Sequence, residues 1–496
     1  MIMPIDRVDF AAVKVLHKRI EELELQVIRA DDLAKMLQAA TTELARERQS
    51  RIVLAREKAD KLADSQRSIA ILVEKLKVLL EKLKDQKDAE ERTAAELQDA
   101  RRQLAQFQQN TYSYRRIVSE GRPIILVAAD ILPLYDQSSG GMRLFTLIQM
   151  MKDAGWSIIF GSLARISEQP GVLSTEGGRA TYEGALRSSG VISILYGLSE
   201  IDEFLSSHAD RVKYAFLSFP QVASECIPLL RCRCPSAHVI YDMVDFCSLR
   251  LSREGRLKGD SSIMSKAQAA QALEVYCAKA ADVTIAITDQ EKDALLDLVP
   301  GAQVKVIPNV FDIPELPAIA PGERKGLLFV GGFWHAPNRD AIIWFVEELF
   351  PALRSQIPDI ELKIAGANPG EDVIALGEHP GVRVLGYVED LSPLYINSRV
   401  CVAPLRYGAG MKGKVGQSLS YGLPVVTTSI GAEGMGLVNG EHVLIADSGD
   451  DFVAAVVQLM RDEKLWSHLS SDGRALVREN YSRETVQHAL TELLVD

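Results

Sequence analysis

Between Pro4 and Gly121 the sequence contains neither glycine nor proline. The residues that stop helices and form tight turns are therefore missing from the whole interval, and nothing interrupts a helix there. Long apolar runs are also lacking: none approaches the roughly 20 residues a membrane-spanning helix needs. The first residues, Met1-Ile2-Met3-Pro4-Ile5-Asp6-Arg7, have no apolar signal-peptide core. These absences lead us to expect a cytoplasmic protein, with peripheral contact at the inner face of a membrane left open. Basic charge is in deficit, with a net charge of −11. That balance argues against a nucleic-acid partner, because neutralising phosphates needs a basic surface. Cysteines number only six and show no framework spacing, as in a reducing compartment. Cys232-Arg233-Cys234 is too closely spaced for a usual metal pair and lacks a second half, so these cysteines read as structural.

What fills the turn-free interval is a heptad repeat in a single register. Its a positions run from Val13, Ile20 and Val27 to Leu97 and Leu104, and its d positions from Leu16 and Leu23 to Ala100 and Phe107. Sustained apolar a and d positions signal a coiled coil. At about 1.5 Å per residue the helix would extend roughly 150 Å. The seam weakens between Thr41 and Ser65, where Arg48, Arg51 and Lys58 take core positions. A solvated single helix, or two helices folded back through this weak middle, is the alternative. A seam this long cannot bury itself alone, so pairing with further copies of the chain is expected. Parallel dimer, trimer and antiparallel hairpin remain open.

At 496 residues, 47% of them hydrophobic, the chain is long enough for two or three domains with sizeable cores. Gly121-Arg122-Pro123 ends the helical region, and Ile124 to Ala129 reads as a buried strand. Ser138-Ser139-Gly140-Gly141-Met142-Arg143 follows, then a helix bearing Leu144, Leu147, Ile148 and Met151 at helical spacing, then a strand at Trp156 to Phe160. Strand, glycine loop, helix, strand marks the start of a Rossmann-like domain, although the spacing is not the dinucleotide fingerprint. Arg143 at the helix start can meet an anion or form a surface salt bridge. Strands are further expected at 191–195, 214–218, 237–241 and 283–287, with a helix over 265–280. Asp242 and Asp245 end one strand, where open α/β sheets bind ligands. Asp245 can orient a hydroxyl or serve as a base, or cap a turn.

A second strand–loop–helix–strand unit starts at Val400 and continues through Arg406-Tyr407-Gly408-Ala409-Gly410-Met411-Lys412-Gly413-Lys414 to Val425-Val426. Glycines let the backbone approach a ligand, and a helix start offers free N–H groups and positive dipole. Arg406, Lys412 and Lys414 add positive charge, so the unit suits a diphosphate. The plainer reading is a tight turn with solvated lysines. Upstream, Leu328-Phe329-Val330-Gly331-Gly332-Phe333-Trp334-His335-Ala336-Pro337-Asn338 repeats strand, glycine turn and helix.

These two stretches, with Thr428-Ser429-Ile430-Gly431-Ala432-Glu433-Gly434-Met435, cover most of residues 325–450 and resemble the donor-binding half of retaining GT-B glycosyltransferases of the bacterial polysaccharide type. The resemblance implies two Rossmann-like α/β domains facing a cleft, here behind a long coiled coil. Expected boundaries are 1–115 for the coiled coil, 116–312 for the acceptor-side domain, and 313–325 for a linker carrying Pro314, Pro317 and Pro321. The nucleotide-sugar domain would span 326–480, and 481–496 would be a terminal helix crossing back. It further implies a donor site of Gly331, Asn338, Gly408, Gly410, Met411, Lys412, Gly413, Gln417 and Glu433. Lys414 and Arg406 would stabilise the leaving diphosphate, and Asp245 would act on the acceptor. Gly140, Gly141, Arg143 and Asp242 would border the acceptor side.

Two departures stand out. Many of these enzymes place an arginine and a lysine after the first strand of this domain, where this chain has His335, Asn338 and Arg339. They also carry two glutamates separated by seven residues, where this chain has Ala409 and Gln417. Gln417 can still bond hydroxyls, but Ala409 cannot replace an acid. No Asp-x-Asp metal motif stands out, and neither metal nor cofactor is expected beyond the nucleotide-sugar donor itself. The acceptor would be a sugar, a lipid-linked sugar or a protein. Two other functions keep the same architecture: a non-catalytic scaffold assembled through the coiled coil, which the missing glutamates favour, and a nucleotide-sugar epimerase, whose catalytic acids are not apparent.

Overall fold

Residues 39, 40, 42, 43, 123–317 and 319–494 are described by the structure, a computed structural model. The chain divides into two units, Met1–Thr111 and Tyr112–Asp496. In the first, Ala39, Ala40, Thr42 and Glu43 are helical. The remainder of the heptad seam, and the pairing expected of it, lies outside the described residues.

The second unit begins with β1 (Ile124–Ala129), apolar and buried at every position. A strand covered on both faces has no reason to alternate polar and apolar residues. Ile124, Leu126 and Ala128 enter one core, and Ile125, Val127 and Ala129 enter the core on the opposite face. Helix α1 (Ser139–Asp153) follows, its start capped by the Ser138 hydroxyl, which accepts from the Gly141 N–H at 2.9 Å. Next come β2 (Ser157–Ser162), β3 (Val191–Tyr196), β4 (Val212–Ser218) and β5 (His238–Asp242). Two packed helices then intervene, α2 (Cys247–Lys258) and α3 (Ser261–Ala280), joined at Gly259, whose φ of 64° ends α2 in the left-handed conformation. After them lie β6 (Val283–Ala286), α4 (Asp289–Leu298) and β7 (Val304–Val306). All neighbouring strands are parallel, in the order β3-β2-β1-β4-β5-β6-β7. Helix α3 begins ahead of the expected Ser265, and α2 was not anticipated from the sequence.

The second sheet repeats the plan with β8 (Leu327–Val330), β9 (Leu362–Ala365), β10 (Val382–Gly386), β11 (Val400–Ala403), β12 (Val425–Thr427) and β13 (Leu444–Ile445), ordered β10-β9-β8-β11-β12-β13 and again parallel. Helix α5 (Ala336–Trp344) follows β8, and α6 (Gly413–Ser420) follows β11. Helix α7 (Glu463–Tyr481) packs on α6. The last helix, α8 (Arg483–Leu493), leaves this domain and inserts Val486, Leu490 and Leu493 into the first domain's core beside Ile125 and Val127. The outgoing and returning chain segments touch where the Phe311 N–H donates to the Tyr481 carbonyl at 2.9 Å.

In each sheet the strand order reverses once, between β1 and β4 and between β8 and β11. Loops leaving the carboxyl ends of two such strands diverge to opposite faces and open a crevice. The second unit therefore holds two crevices, one per sheet, and the loops that line them meet.

Candidate active site

Two helix starts face each other across the domain boundary. Gly413 opens α6, and a Cβ added to it would collide with the side chain of Ser139, which opens α1. Only a glycine lets the two helix ends come this close. Both present unpaired N–H groups and the positive end of a helix dipole to the space between the domains. The first domain is strained at the same place. Phe219 and Val244, which follow β4 and β5, adopt φ angles of 73° and 61°. Both side chains lie against Gly140. A positive φ is unfavourable for a bulky or β-branched residue and is retained where the surroundings enforce it, commonly at ligand sites.

The two lysines of the glycine loop lie in this space without a counter-ion. The Lys414 ammonium donates to Asn338 Oδ1 at 2.5 Å and sits 4.4 Å from the centre of the Phe329 ring. Asn338 is itself held by donating to the Gly332 carbonyl at 2.9 Å. Burial brings the Lys414 pKa down to about 7, with Cys401 opposing and Lys412 adding to the depression. The Lys412 ammonium folds back to donate to the Ala409 carbonyl at 2.8 Å and to the Gly410 carbonyl. Burial lowers its pKa to about 8, against the pull of Glu433, Asp245 and Glu291. Among the described residues neither ammonium is within ion-pair distance of a carboxylate. Such charges are stabilised by an arriving anion.

Around the lysines, charged groups of the two domains interlock. Arg253 on α2 holds Glu433 through two bonds of 2.6 and 2.8 Å and also donates to the Gly408 carbonyl at 2.6 Å. Asp245 accepts from Arg250 at 2.7 Å. His335 stands opposite: burial depresses its pKa to about 4, the Asp245 charge opposes that, and Arg250 reinforces it. The ring is therefore neutral near pH 7. Glu291, at the start of α4, is 2% exposed, and burial lifts its carboxyl to about 7. Further out, the Tyr387 hydroxyl of the second domain donates to Asp136 of the first at 2.6 Å.

The structure thus brings together Gly140, Asp245, Gly331, Asn338, Gly408, Gly410, Lys412, Gly413, Lys414 and Glu433. Gly141 serves the α1 cap instead, and Met411 is buried in a core cluster. Gln417 lies within α6 and faces Ser420 at 3.5 Å. Three expectations need correction. Arg406 is already paired: Asp340 binds its guanidinium through both oxygens, at 2.8 and 2.5 Å, over the Trp344 ring. Arg143 and Asp242 border no open surface. They pair with each other at 2.6 Å, 2% and 0% exposed, and Arg143 also donates to the Ile307 carbonyl at 2.8 Å. That pair ties α1 to β5 and the end of β7 beneath the loops. Arg253 and Glu291 were missed, because each acts on a loop more than a hundred residues away. The only local signal was Thr288-x-x-Glu291, a capping-box spacing.

Residues 324–462 match the family model described as Glycosyl transferases group 1. A curated Klebsiella pneumoniae protein, described as an uncharacterized 44.6 kDa protein in the cps region, is 27% identical over 168 residues, which are 32% of this chain and 43% of that one. The alignment therefore spans less than half of that relative. Among solved structures, sucrose-phosphate synthase from Thermosynechococcus elongatus superposes with a TM-score of 0.58 at 17% identity, over 75% of this chain and 98% of its own. HepE from Anabaena, in complex with UDP-glucose, superposes with a TM-score of 0.56 at 13% identity, over 75% and 99%. Two parallel-sheet Rossmann-like domains with these neighbours make the fold GT-B.

Proposed function

We propose that the protein is a glycosyltransferase that moves a sugar from a nucleotide-sugar to an acceptor hydroxyl. The observation that carries this reading is the pair of partly buried lysines at the start of α6, which among the described residues meet carbonyl and amide oxygens but no carboxylate, where the switch-point loops of the two sheets meet. The family-model match over 324–462 covers the same loop. HepE, a structural neighbour, is described with UDP-glucose bound, which makes a nucleotide-sugar the donor class to test first.

In this reading the bond between the sugar's anomeric carbon and the diphosphate oxygen breaks as the acceptor oxygen attacks. Negative charge grows on the leaving phosphate. Lys414, Lys412 and the first N–H groups of α6 meet it, an electrostatic task for fixed donors in a water-poor site. Asp245, across the cleft from neutral His335, positions the acceptor hydroxyl and can receive its proton. Among the described residues no group of three or more His, Cys, Asp or Glu is arranged to hold a metal ion. By resemblance the anomeric configuration is retained. The cps-region relative supports a role in surface polysaccharide assembly on a sugar, lipid-linked or protein acceptor. No described helix is long and apolar enough to cross a membrane. The heptad seam would join several copies of the chain.

Radiolabelled donors incubated with and without lipid-linked acceptors test the activity, and a product carrying the label is expected. Binding without turnover of any donor would favour a scaffold. Interconversion of the donor sugar, in place of transfer, would favour an epimerase. Light scattering on the chain with and without residues 1–110 tests the assembly, and an unchanged subunit number would refute the coiled coil as its cause.

A further inference from the structure

We propose that Glu291, carried by the first domain, supplies the carboxylate that the second domain's glycine loop lacks and accepts a hydrogen bond from a hydroxyl of the donor's sugar ring. The inference rests on the nucleotide-sugar reading above and names the residue that would select the sugar.

Glu291 has an evident structural task, and that task occupies only half of its carboxylate. Thr288 caps α4 by accepting from the Glu291 N–H at 3.1 Å. In return Glu291 Oε2 accepts from the Ile287 N–H at 3.2 Å. The reciprocal pair is a variant of the capping box. Oε1 takes no part in it: among the described residues this buried oxygen has no hydrogen bond of regular geometry, although the Phe246 N–H faces the carboxyl. A buried carboxylate oxygen left unpaired is unfavourable, and capping does not account for it.

Oε1 points at the glycine loop. It lies 2.9 Å from where Gly410 would carry a Cβ, and Gly410 has a φ of 64°. Any side chain at 410 would displace the carboxylate, so the loop is shaped to admit it. One residue earlier stands Ala409, the position where the resembled enzymes place a glutamate of their own. Its methyl packs against the first domain's core instead of offering an acid. The acid is thus missing from the loop and present on the wall that the loop touches. Facing the same carboxyl are Lys412 from the loop, Asp245 and the Phe246 N–H from the segment after β5, and Arg253 with Glu433 just beyond. Arg253 and Glu433 satisfy each other, and Lys412 bonds to loop carbonyls. Among the described residues that leaves Glu291 Oε1, a buried oxygen set against the glycine loop beside Lys412, as the acceptor without a side-chain donor.

Calorimetry on the full-length protein tests the assignment, using UDP, GDP and ADP, their common nucleotide-sugars, and deoxygenated sugars of whichever nucleotide binds. Glu291→Gln keeps an oxygen for the Ile287 N–H and keeps the shape, but presents an amide where the second acceptor was. Wild-type protein should bind one nucleotide-sugar more tightly than the bare nucleoside diphosphate. At pH 8, where a carboxyl lifted to about 7 is mostly ionised, Glu291→Gln should erase that increment by about tenfold or more, the range for a hydrogen bond to a charged group, with little change for the bare diphosphate. A donor lacking the contacted hydroxyl should bind wild type and variant alike. Glu291→Asp retains the charge but withdraws it from the loop, and it should also lose the increment. It serves if the glutamine variant does not fold. A wild-type increment in either folded variant overturns the assignment and leaves Glu291 a helix cap alone. Failure of the wild type to bind any nucleoside diphosphate overturns the glycosyltransferase reading as well, so the two failures are distinguishable.

Discussion

Replacing Lys414 with methionine should make the unliganded protein more stable and the enzyme far worse. Among the described residues the ammonium meets a ring face and an amide oxygen but no carboxylate. Moving its pKa from 10.5 to about 7 corresponds, at about 1.36 kcal/mol per pH unit, to roughly 5 kcal/mol against the charged form. Lys414 is only half-buried, so solvent reduces that figure. The substitution also leaves Asn338 Oδ1 without its donor, which costs about 1–3 kcal/mol. A net gain of about 1–3 kcal/mol remains, within the range found when buried charges are replaced by apolar groups. The sign with pH follows from the depressed pKa. The folded protein holds fewer protons than the unfolded chain between about 7 and 10.5. The penalty is therefore full below pH 7 and fades as pH rises toward 10.5, and the advantage of Lys414→Met should shrink with it. Loss of one such electrostatic donor typically costs about 2.7–4 kcal/mol in turnover, on the order of a hundredfold or more. Denaturant unfolding at pH 7 and 9, calorimetry with nucleoside diphosphates, and turnover of the best donor measure the three effects. A less stable variant that binds diphosphates as wild type does would refute the reasoning. A solvated lysine would leave all three unchanged.

Lys412 and Lys414 titrate near 8 and 7. Diphosphate binding should therefore take up protons, and affinity should fall as pH rises through that range. Calorimetry in buffers of different ionisation enthalpy counts the protons, and a count of zero at pH 8 would contradict the assignment. Arg253→Ala and Glu433→Gln should each loosen the contact between the domains, with a coupling of about 0.5–3 kcal/mol in a double-mutant cycle. A strictly additive cycle for donor affinity would mean the pair does not link them. Arg143→Met should strand the Asp242 charge and destabilise the fold by about 3–5 kcal/mol. Donor affinity per folded molecule should be unchanged, and a selective loss of affinity would return Arg143 to the site.

Much of the scaffold was legible because buried parallel strands are continuous apolar runs. Ile124–Ala129 and Val400–Ala403 need no partner to be recognised. The glycine loop was legible too, since glycines, lysines and a helix start fall within a few residues of one another. Helix α2 was not. Its segment, Cys247-Ser248-Leu249-Arg250-Leu251-Ser252-Arg253-Glu254-Gly255, is polar with an internal glycine, and packing against α3 stabilises it. Arg143 and Arg406 illustrate a different limit. Each is a cation at the end of a strand–loop unit, but Asp242 and Asp340 claim them, and both partners are remote in sequence. Arg253 and Glu291 show the converse, ordinary helix residues drawn into the cleft by the docking of one domain on the other.

The return of α8 to the first domain has a mechanical consequence. Two strands of backbone, not one, cross between the lobes, and the Phe311–Tyr481 hydrogen bond fastens them side by side. A body hung from a single cord can swing and spin, whereas one hung from two adjacent cords is restrained from spinning. An opening of the lobes would thereby be steered into a swing about the paired crossing. Closure along that path would bring Gly413 to Ser139 and Gly410 to Glu291, the alignment that the structure holds.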